Sequence, residues 1–221
     1  MKFTIAAVAA SVGLCCVVDA EEPIAVVLSR EICRADLCPS ERETVWRKAD
    51  LSPNEYEEWQ AAYPAEKLAA LIKGPLLEKY KQEKGLAATE AELAPYLKKW
   101  RHSGGKAAEA SPGGAESKKA ERVVAKKFFA SIVESRKIGK SLFEKYGGRV
   151  SISSFGFVVP IDAETRFLRE KMKEGAFSIL DGQMEKAFWA HVSKPWGDGT
   201  LTEERAKEMF SSPDYLLQLT E

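Results

Sequence analysis

The stretch from Leu68 to Trp100, LAALIKGPLLEKYKQEKGLAATEAELAPYLKKW, constrains the fold more than any other part of the chain. Leu68, Leu71, Ile72, Leu76 and Tyr80 recur at three- and four-residue steps, which puts them on one face of a helix that must bury that face. Gly85 stops it. Thr89, followed three residues later by Glu92, has the spacing of a capping box, in which hydroxyl and carboxylate satisfy backbone donors that a helix start leaves unpaired. Leu93, Tyr96, Leu97 and Trp100 continue as the apolar stripe of a second helix. Gly74-Pro75 lies inside the first, and an interior proline removes a hydrogen bond and crowds the preceding turn, so a kink or break is expected there.

The first twenty residues have another character. Lys2 is followed by an uncharged run from Phe3 to Val18, and Val17-Val18-Asp19-Ala20 precedes Glu21-Glu22-Pro23. A basic start, short apolar core and small terminal residue predict a secretory signal peptide over 1–20, cleaved after Ala20. The run of about sixteen residues is shorter than the roughly twenty of a spanning helix, which weighs against an uncleaved anchor. A lipoprotein reading through Cys15 or Cys16 lacks the usual leucine and small residue ahead of the cysteine. The expected mature chain is exported, periplasmic or secreted, with no later stretch apolar enough for stable membrane insertion.

The whole chain has 33 Lys and Arg against 33 Asp and Glu. This balance gives no overall bias toward nucleic acid or an anionic membrane. Two cysteines remain after cleavage, Cys33 and Cys38. An oxidising compartment favours a disulfide for a lone close pair. Five residues along a regular helix would separate the Cα atoms too far for a bridge, a restriction that Pro39 relaxes. A bridge between them, separate thiols and pairing with another chain all remain open.

Ile24 to Leu28 is β-favouring, Ser29 to Glu31 can turn it, and Ile32 to Arg34 can return it as a hairpin. Glu41 to Lys48 reads as a polar helix carrying Val45 and Trp46. Asp50 or Ser52, with Pro53 in the first turn, then opens a segment holding Tyr56, Trp59 and Tyr63. Ser103 to Lys119 is small, polar and glycine-rich, the composition of a flexible linker or loop. Ala120 to Tyr146 is the longest helical pattern and Gly147-Gly148 its stop. Arg149 to Val159 is the best strand of the mature chain, expected in one small sheet with the N-terminal hairpin and Phe177 to Leu180. Asp162 and Asp181 are placed to cap two further helices, Trp196-Gly-Asp-Gly-Thr200 reads as a turn, and Thr202 starts a last short helix before a tail that can dock through Tyr215, Leu216 and Leu217.

The order of β-run, tight turn, Ile32-Cys-Arg-Ala-Asp-Leu37 and the two capped helices resembles the N-terminal helical domain of SurA-type periplasmic chaperones and exported parvulin-type peptidylprolyl isomerases. Gly85, Leu86, Thr89, Glu92 and Leu93 match that domain's helix-start pattern, and the likeness covers at most 24–100. The usual turn glycine is replaced by Ser29-Arg30, and nothing downstream resembles the glycine-rich parvulin catalytic stretch with its histidines. The resemblance thus implies a chaperone-type helical fold without isomerase chemistry. The second half looks like uncharacterised exported bacterial proteins of the same layout, which adds no chemistry.

No G-x-S-x-G, phosphate-cradling glycine loop or H-E-x-x-H occurs, and His102 and His191 are the only histidines. No catalytic residue, cofactor or metal site is assigned. The expected architecture is mainly α with a small antiparallel β-sheet, resembling the SurA N-domain. It comprises an N-terminal part (21–102), the linker (103–119) and a C-terminal part (120–221), the two parts packed as one composite domain. The expected function is non-catalytic binding of unfolded or partner polypeptides through an apolar surface, with Trp46, Tyr56, Trp59, Tyr63, Trp100, Phe188 and Trp196 as candidates. A peptidylprolyl isomerase-related enzyme and a dedicated assembly factor for one exported complex are the alternatives.

Overall fold

The computed structural model describes residues 22–108, 115–152, 158–195 and 199–212. It is mainly helical, with two small antiparallel sheets. Two compact units emerge, interleaved in sequence. One comprises Met1–Pro75 with Lys171–His191, the other Leu76–Glu170 with Val192–Glu221. The boundaries between the units fall inside helices, and residues 103–108 and 115–119 of the stretch read as linker or loop are helical. Residues 109–114, like the expected signal peptide and the Tyr215–Leu217 tail, lie outside the described residues.

In the first unit, strands β1 (Pro23–Val27) and β2 (Arg30–Cys33) form an antiparallel hairpin, with Val27 opposite Arg30 and Ala25 opposite Ile32. Leu28 and Ser29 make the two-residue turn, both with positive φ (47° and 67°). That conformation matches strand twist, yet most side chains avoid it, and sequence reasoning placed the turn one residue later. β3 (Phe177–Ile179) lies antiparallel on the other side of β1. Ile24, Ala25, Val27 and Ile32 are buried, as are Phe177, Ile179, Leu68 and Ile72. A 3₁₀ turn (Arg34–Leu37) follows the hairpin, with Cys33 and Cys38 at its two ends. The Arg34 guanidinium meets the Asp181 carboxylate at 2.9 Å. Asp181 also accepts from the Gln183 and Met184 amides, at 2.9 and 3.0 Å. Those bonds, the Met184 amide foremost, hold its carboxyl below the usual range and start the helix Gly182–Ser193, as its sequence position predicted.

Helix α1 (Glu41–Asp50) is followed after two residues by α2 (Pro53–Lys84). α2 spans 32 residues without interruption and includes both Pro64 and Pro75, so no break occurs at Gly74-Pro75. A proline forfeits one backbone bond, and the apolar face on both sides outweighs that loss. The segment with Tyr56, Trp59 and Tyr63 is the beginning of this helix.

The second unit contains the last turns of α2, then α3 (Glu90–Ala108) and α4 (Ala115–Tyr146). Gly85 ends α2 with φ +64°, and the Leu86 amide returns to the Lys81 carbonyl at 3.0 Å. The predicted Thr89–Glu92 capping box is formed, the Thr89 amide donating to Glu92 at 2.7 Å and the Glu92 amide to the Thr89 hydroxyl at 3.3 Å. Leu93 and Leu97 of α3 pack with Ala125 and Val133 of α4.

The second sheet corrects the expectation of a single one. Val150–Ile152 (β4) and Val158–Val159 (β5) pair with each other, and Gly199–Leu201 (β6) flanks β4. Val150 packs with Phe143, Ala206 and Phe210, the last two from α7 (Glu203–Ser211), and Leu201 covers them. A three-residue strand carries no alternation to read, which is why β6 was taken for part of a turn. The helix beginning at Ile161 is α5 (Ile161–Lys173), and the helix Gly182–Ser193 is α6.

Asp162 was expected to cap α5. Its carboxylate instead takes the Arg149 guanidinium at 2.9 Å and the Arg149 amide at 2.8 Å. Gly148 sits against it at φ +100°, and a Cβ there would come within 2.5 Å of the Asp162 Cβ, so this position admits only glycine without rearrangement. Arg149's hydrogen bonds hold the Asp162 carboxyl below its ordinary value of 3.8. A folded-state pKa lower than the unfolded one adds stability that is complete above the ordinary value and is lost as pH falls through the folded one. Urea unfolding of the wild type should therefore lose more stability between about pH 5 and pH 2 than that of Asp162→Asn. Equal acid sensitivity would remove this pair from the account.

Candidate binding surface

Two capped helix starts build the aromatic face of the first unit. The Ser40 hydroxyl accepts from the Glu43 amide at 3.2 Å while Glu43 takes the Ser40 amide at 2.9 Å. Ser52 and Glu55 repeat the arrangement at the start of α2, the Ser52 amide donating to Glu55 at 2.9 Å. These boxes fix both helix origins around a two-residue connection. Tyr56, Trp59 and Tyr63 then fall at i, i+3 and i+7 along one face of α2. Their rings are in sequence contact, with centroids 5.5 Å apart for Tyr56 and Trp59 and 5.2 Å for Trp59 and Tyr63.

From α1, Arg47 reaches the row. Its guanidinium carbon is 4.9 Å from the Trp46 ring centre and 5.9 Å from that of Trp59, so one cation bridges aromatics of both helices. One turn earlier, Glu43 accepts from the Tyr63 hydroxyl at 3.3 Å. Burial pushes the Tyr63 phenol up, and the Ser40 hydroxyl holds the Glu43 carboxyl below its usual range. Across neutral pH the phenol donates and the carboxylate accepts.

The result is graded exposure. Tyr63 is 8 % exposed and forms the floor, Tyr56 and Trp59 are half-buried, and Trp46 is 60 % exposed. Val45 beside it is 64 % exposed, and α1 buries none of its side chains. Four of the seven predicted residues thus lie on these two helices. Arg47 and Glu43, which tie the helices together, were missed as functional groups. Their only sequence signal was the Glu-to-Arg spacing of four, which elsewhere marks a solvated helix face.

The remaining candidates lie elsewhere. Phe188 is fully buried, 5.9 Å from Phe177 and 5.0 Å from Trp189 between ring centres, so its place in an exposed surface is corrected to a place in the core. Trp100 is partly buried against the Leu93–Leu97 cluster of the second unit. Trp196 and the His102 side chain lie outside the described residues. His191 is exposed on α6.

Proton-transfer chemistry finds little support in the best polar cluster. Tyr146 and Lys145 both donate to Glu170, at 2.8 and 2.9 Å. Burial pushes the tyrosine up, and hydrogen bonding to Tyr146 and Glu170 pushes the lysine up, so neither titrates near neutrality. A depression of about 330 Å³ where α4 meets α7 is lined by Phe143, Phe210 and the ion pairs Lys140–Glu144 and Lys207–Glu203, whose charges already answer each other. Among the described residues no group of three or more His, Cys, Asp or Glu is placed to hold a metal ion, and no helix is long and apolar enough to cross a membrane.

No family model, curated protein or solved structure matches this chain.

The packing separates two tryptophans that look alike in sequence. Trp59→Ala opens a gap in the aromatic row and should cost about 2 kcal/mol in urea unfolding. Trp46→Ser removes a side chain that α1 leaves in solvent and should change stability by no more than about 0.5 kcal/mol. A large loss for Trp46→Ser would mean that its ring is part of the core.

Proposed function

We propose that this is an exported, non-catalytic, chaperone-like protein that holds unfolded or partner polypeptides on the aromatic face of α1 and α2. The observation that carries the reading is the exposed Val45–Trp46 edge beside the Tyr56–Trp59–Tyr63 row. An unfolded segment offers apolar side chains at irregular spacing, and a rigid aromatic floor with an exposed, adaptable rim accepts many of them without a fixed register. Arg47 gives the rim a cation for carbonyl or carboxylate groups of the bound chain. The resemblance of 24–100 to SurA-type chaperones supports the same reading.

The test is light scattering of a denatured outer-membrane protein diluted into buffer. Near-stoichiometric amounts of the protein should suppress aggregation, and the paired change Val45→Ser with Trp46→Ser should abolish most of the effect while leaving the urea midpoint in place. No suppression at large excess, or full suppression by the paired variant, would move the function away from this face.

Export itself has a direct readout. N-terminal sequencing of the protein recovered from expressing cells should begin at Glu21, and recovery starting at Met1 would overturn the signal-peptide reading.

A further inference from the structure

The direction of α7 determines where the chain goes next. Glu203 and Lys207, early in α7, line the same depression as Glu144 and Gly147 at the end of α4. Further along, the ring centres of Phe210 and Phe143 are 5.3 Å apart, and a Cβ on Gly139 would stand 3.5 Å from the Phe210 ring. At the end of α7 the Arg136 guanidinium donates to the Met209 carbonyl at 2.7 Å and also to the Ser212 carbonyl. α7 is therefore antiparallel to α4, and at Ser212 the chain is travelling toward the start of α4.

Ahead of that point lies an apolar row. Steps of four back from Arg136 reach Ile132, Phe128 and Val124, a ridge of the kind that i and i+4 side chains form along a helix. Ile132 is half-buried, Phe128 is 54 % exposed and Val124 66 %. The core side of α4 is committed elsewhere, with Ala125 and Val133 buried against Leu93 and Leu97 and Phe129 stacked on Tyr96 at 5.7 Å between ring centres. Phe128 rests edge-on against Phe129 at 5.5 Å, so the row is held outward. Its charged neighbours on the helix, Lys127 and Glu121, balance each other, which leaves apolar contact as what the row offers.

We infer that residues 213–221 continue along this row and seat Tyr215, Leu216 and Leu217 on Ile132, Phe128 and Val124. The segment begins where the row begins, beside the Ser212 carbonyl that Arg136 holds. Its reach is sufficient. Phe128 lies about 12 Å and Val124 about 18 Å along α4 from Arg136, while nine residues span about 13 Å as a helix and about 30 Å when extended. Its composition matches, because Tyr215, Leu216, Leu217 and Leu219 gain from leaving water. A tether this short also holds the segment at an effective concentration on the order of millimolar, an advantage that a second copy or another polypeptide lacks. Row and segment both belong to the second unit, so the inference stands whether or not the aromatic face of α1 and α2 binds polypeptides.

The experiment places photoreactive benzoylphenylalanine at position 128 of the full chain and mixes ordinary with isotopically labelled protein, so that mass spectrometry separates bonds within one chain from bonds between two. Illumination at low micromolar concentration should join position 128 to 213–221 of the same chain. The same analogue in place of Val123, which is exposed but about 100° around the helix from Val124, should give roughly tenfold less of that product. Leu216→Ser combined with Leu217→Ser should lower the yield from position 128 roughly tenfold, since burial of leucine is what holds the segment down. A product between labelled and ordinary chains would assign the row to a second copy. That result, an equal yield from position 123, bonds only to residues outside 213–221, or no bond at all would each overturn the assignment.

Discussion

The short connection between α2 and α3 exposes backbone groups that neither helix can satisfy, and α4 satisfies them. Glu134 accepts from the Ala88 amide at 3.2 Å and from the Lys81 ammonium at 2.9 Å. Three residues on, Lys137 donates to the Ala87 carbonyl at 2.8 Å and pairs with Glu92, the carboxylate that also caps α3. Hydrogen bonds with a charged partner are stronger than neutral ones, so these contacts favour one register of α4 against the helix pair. Leu93 and Leu97 can meet Ala125 and Val133 because that register is fixed. The row from Tyr96 through Phe129 to Phe128 follows from it, and so does the outward presentation of Val124.

A similar economy governs the first unit, with serine boxes in place of a lysine–glutamate clasp. α1 has no buried residue, so tertiary burial does not hold it as it holds α2. Its position depends on its cap, on the two-residue connection and on two groups one turn apart, Glu43 on the Tyr63 hydroxyl and Arg47 between the tryptophans. A helix held this way is among the least protected elements of a fold and can move without unfolding its neighbours.

What the sequence revealed was the local part of this. Thr89–Glu92, Ser52–Pro53, Gly85 and Asp181 act within a few residues of themselves, so their spacing sufficed to place helix starts and stops. The hairpin's pairing with Phe177–Ile179 was expected, but the partners of Val150–Ile152 escaped notice for the opposite reason. β4, β5 and β6 are two or three residues long, and their pairing is set by Phe143 and Phe210 from distant helices. Asp162 misled because a carboxylate near a helix start has two good uses, and Arg149 beside Gly148 offered the stronger one. Gly74-Pro75 brings no break because the apolar face of α2 continues on both sides of the lost hydrogen bond.

Phe188 and Trp46 mark how far a binding surface is legible. Both are aromatic residues on short amphipathic helices, and composition treats them alike. Phe188 is buried because β3 brings Phe177 against it, a contact between residues on different elements. Trp46 stays in solvent because no element among the described residues covers its ring. Exposure is a property of what fails to pack, and a single sequence records only what is available for packing.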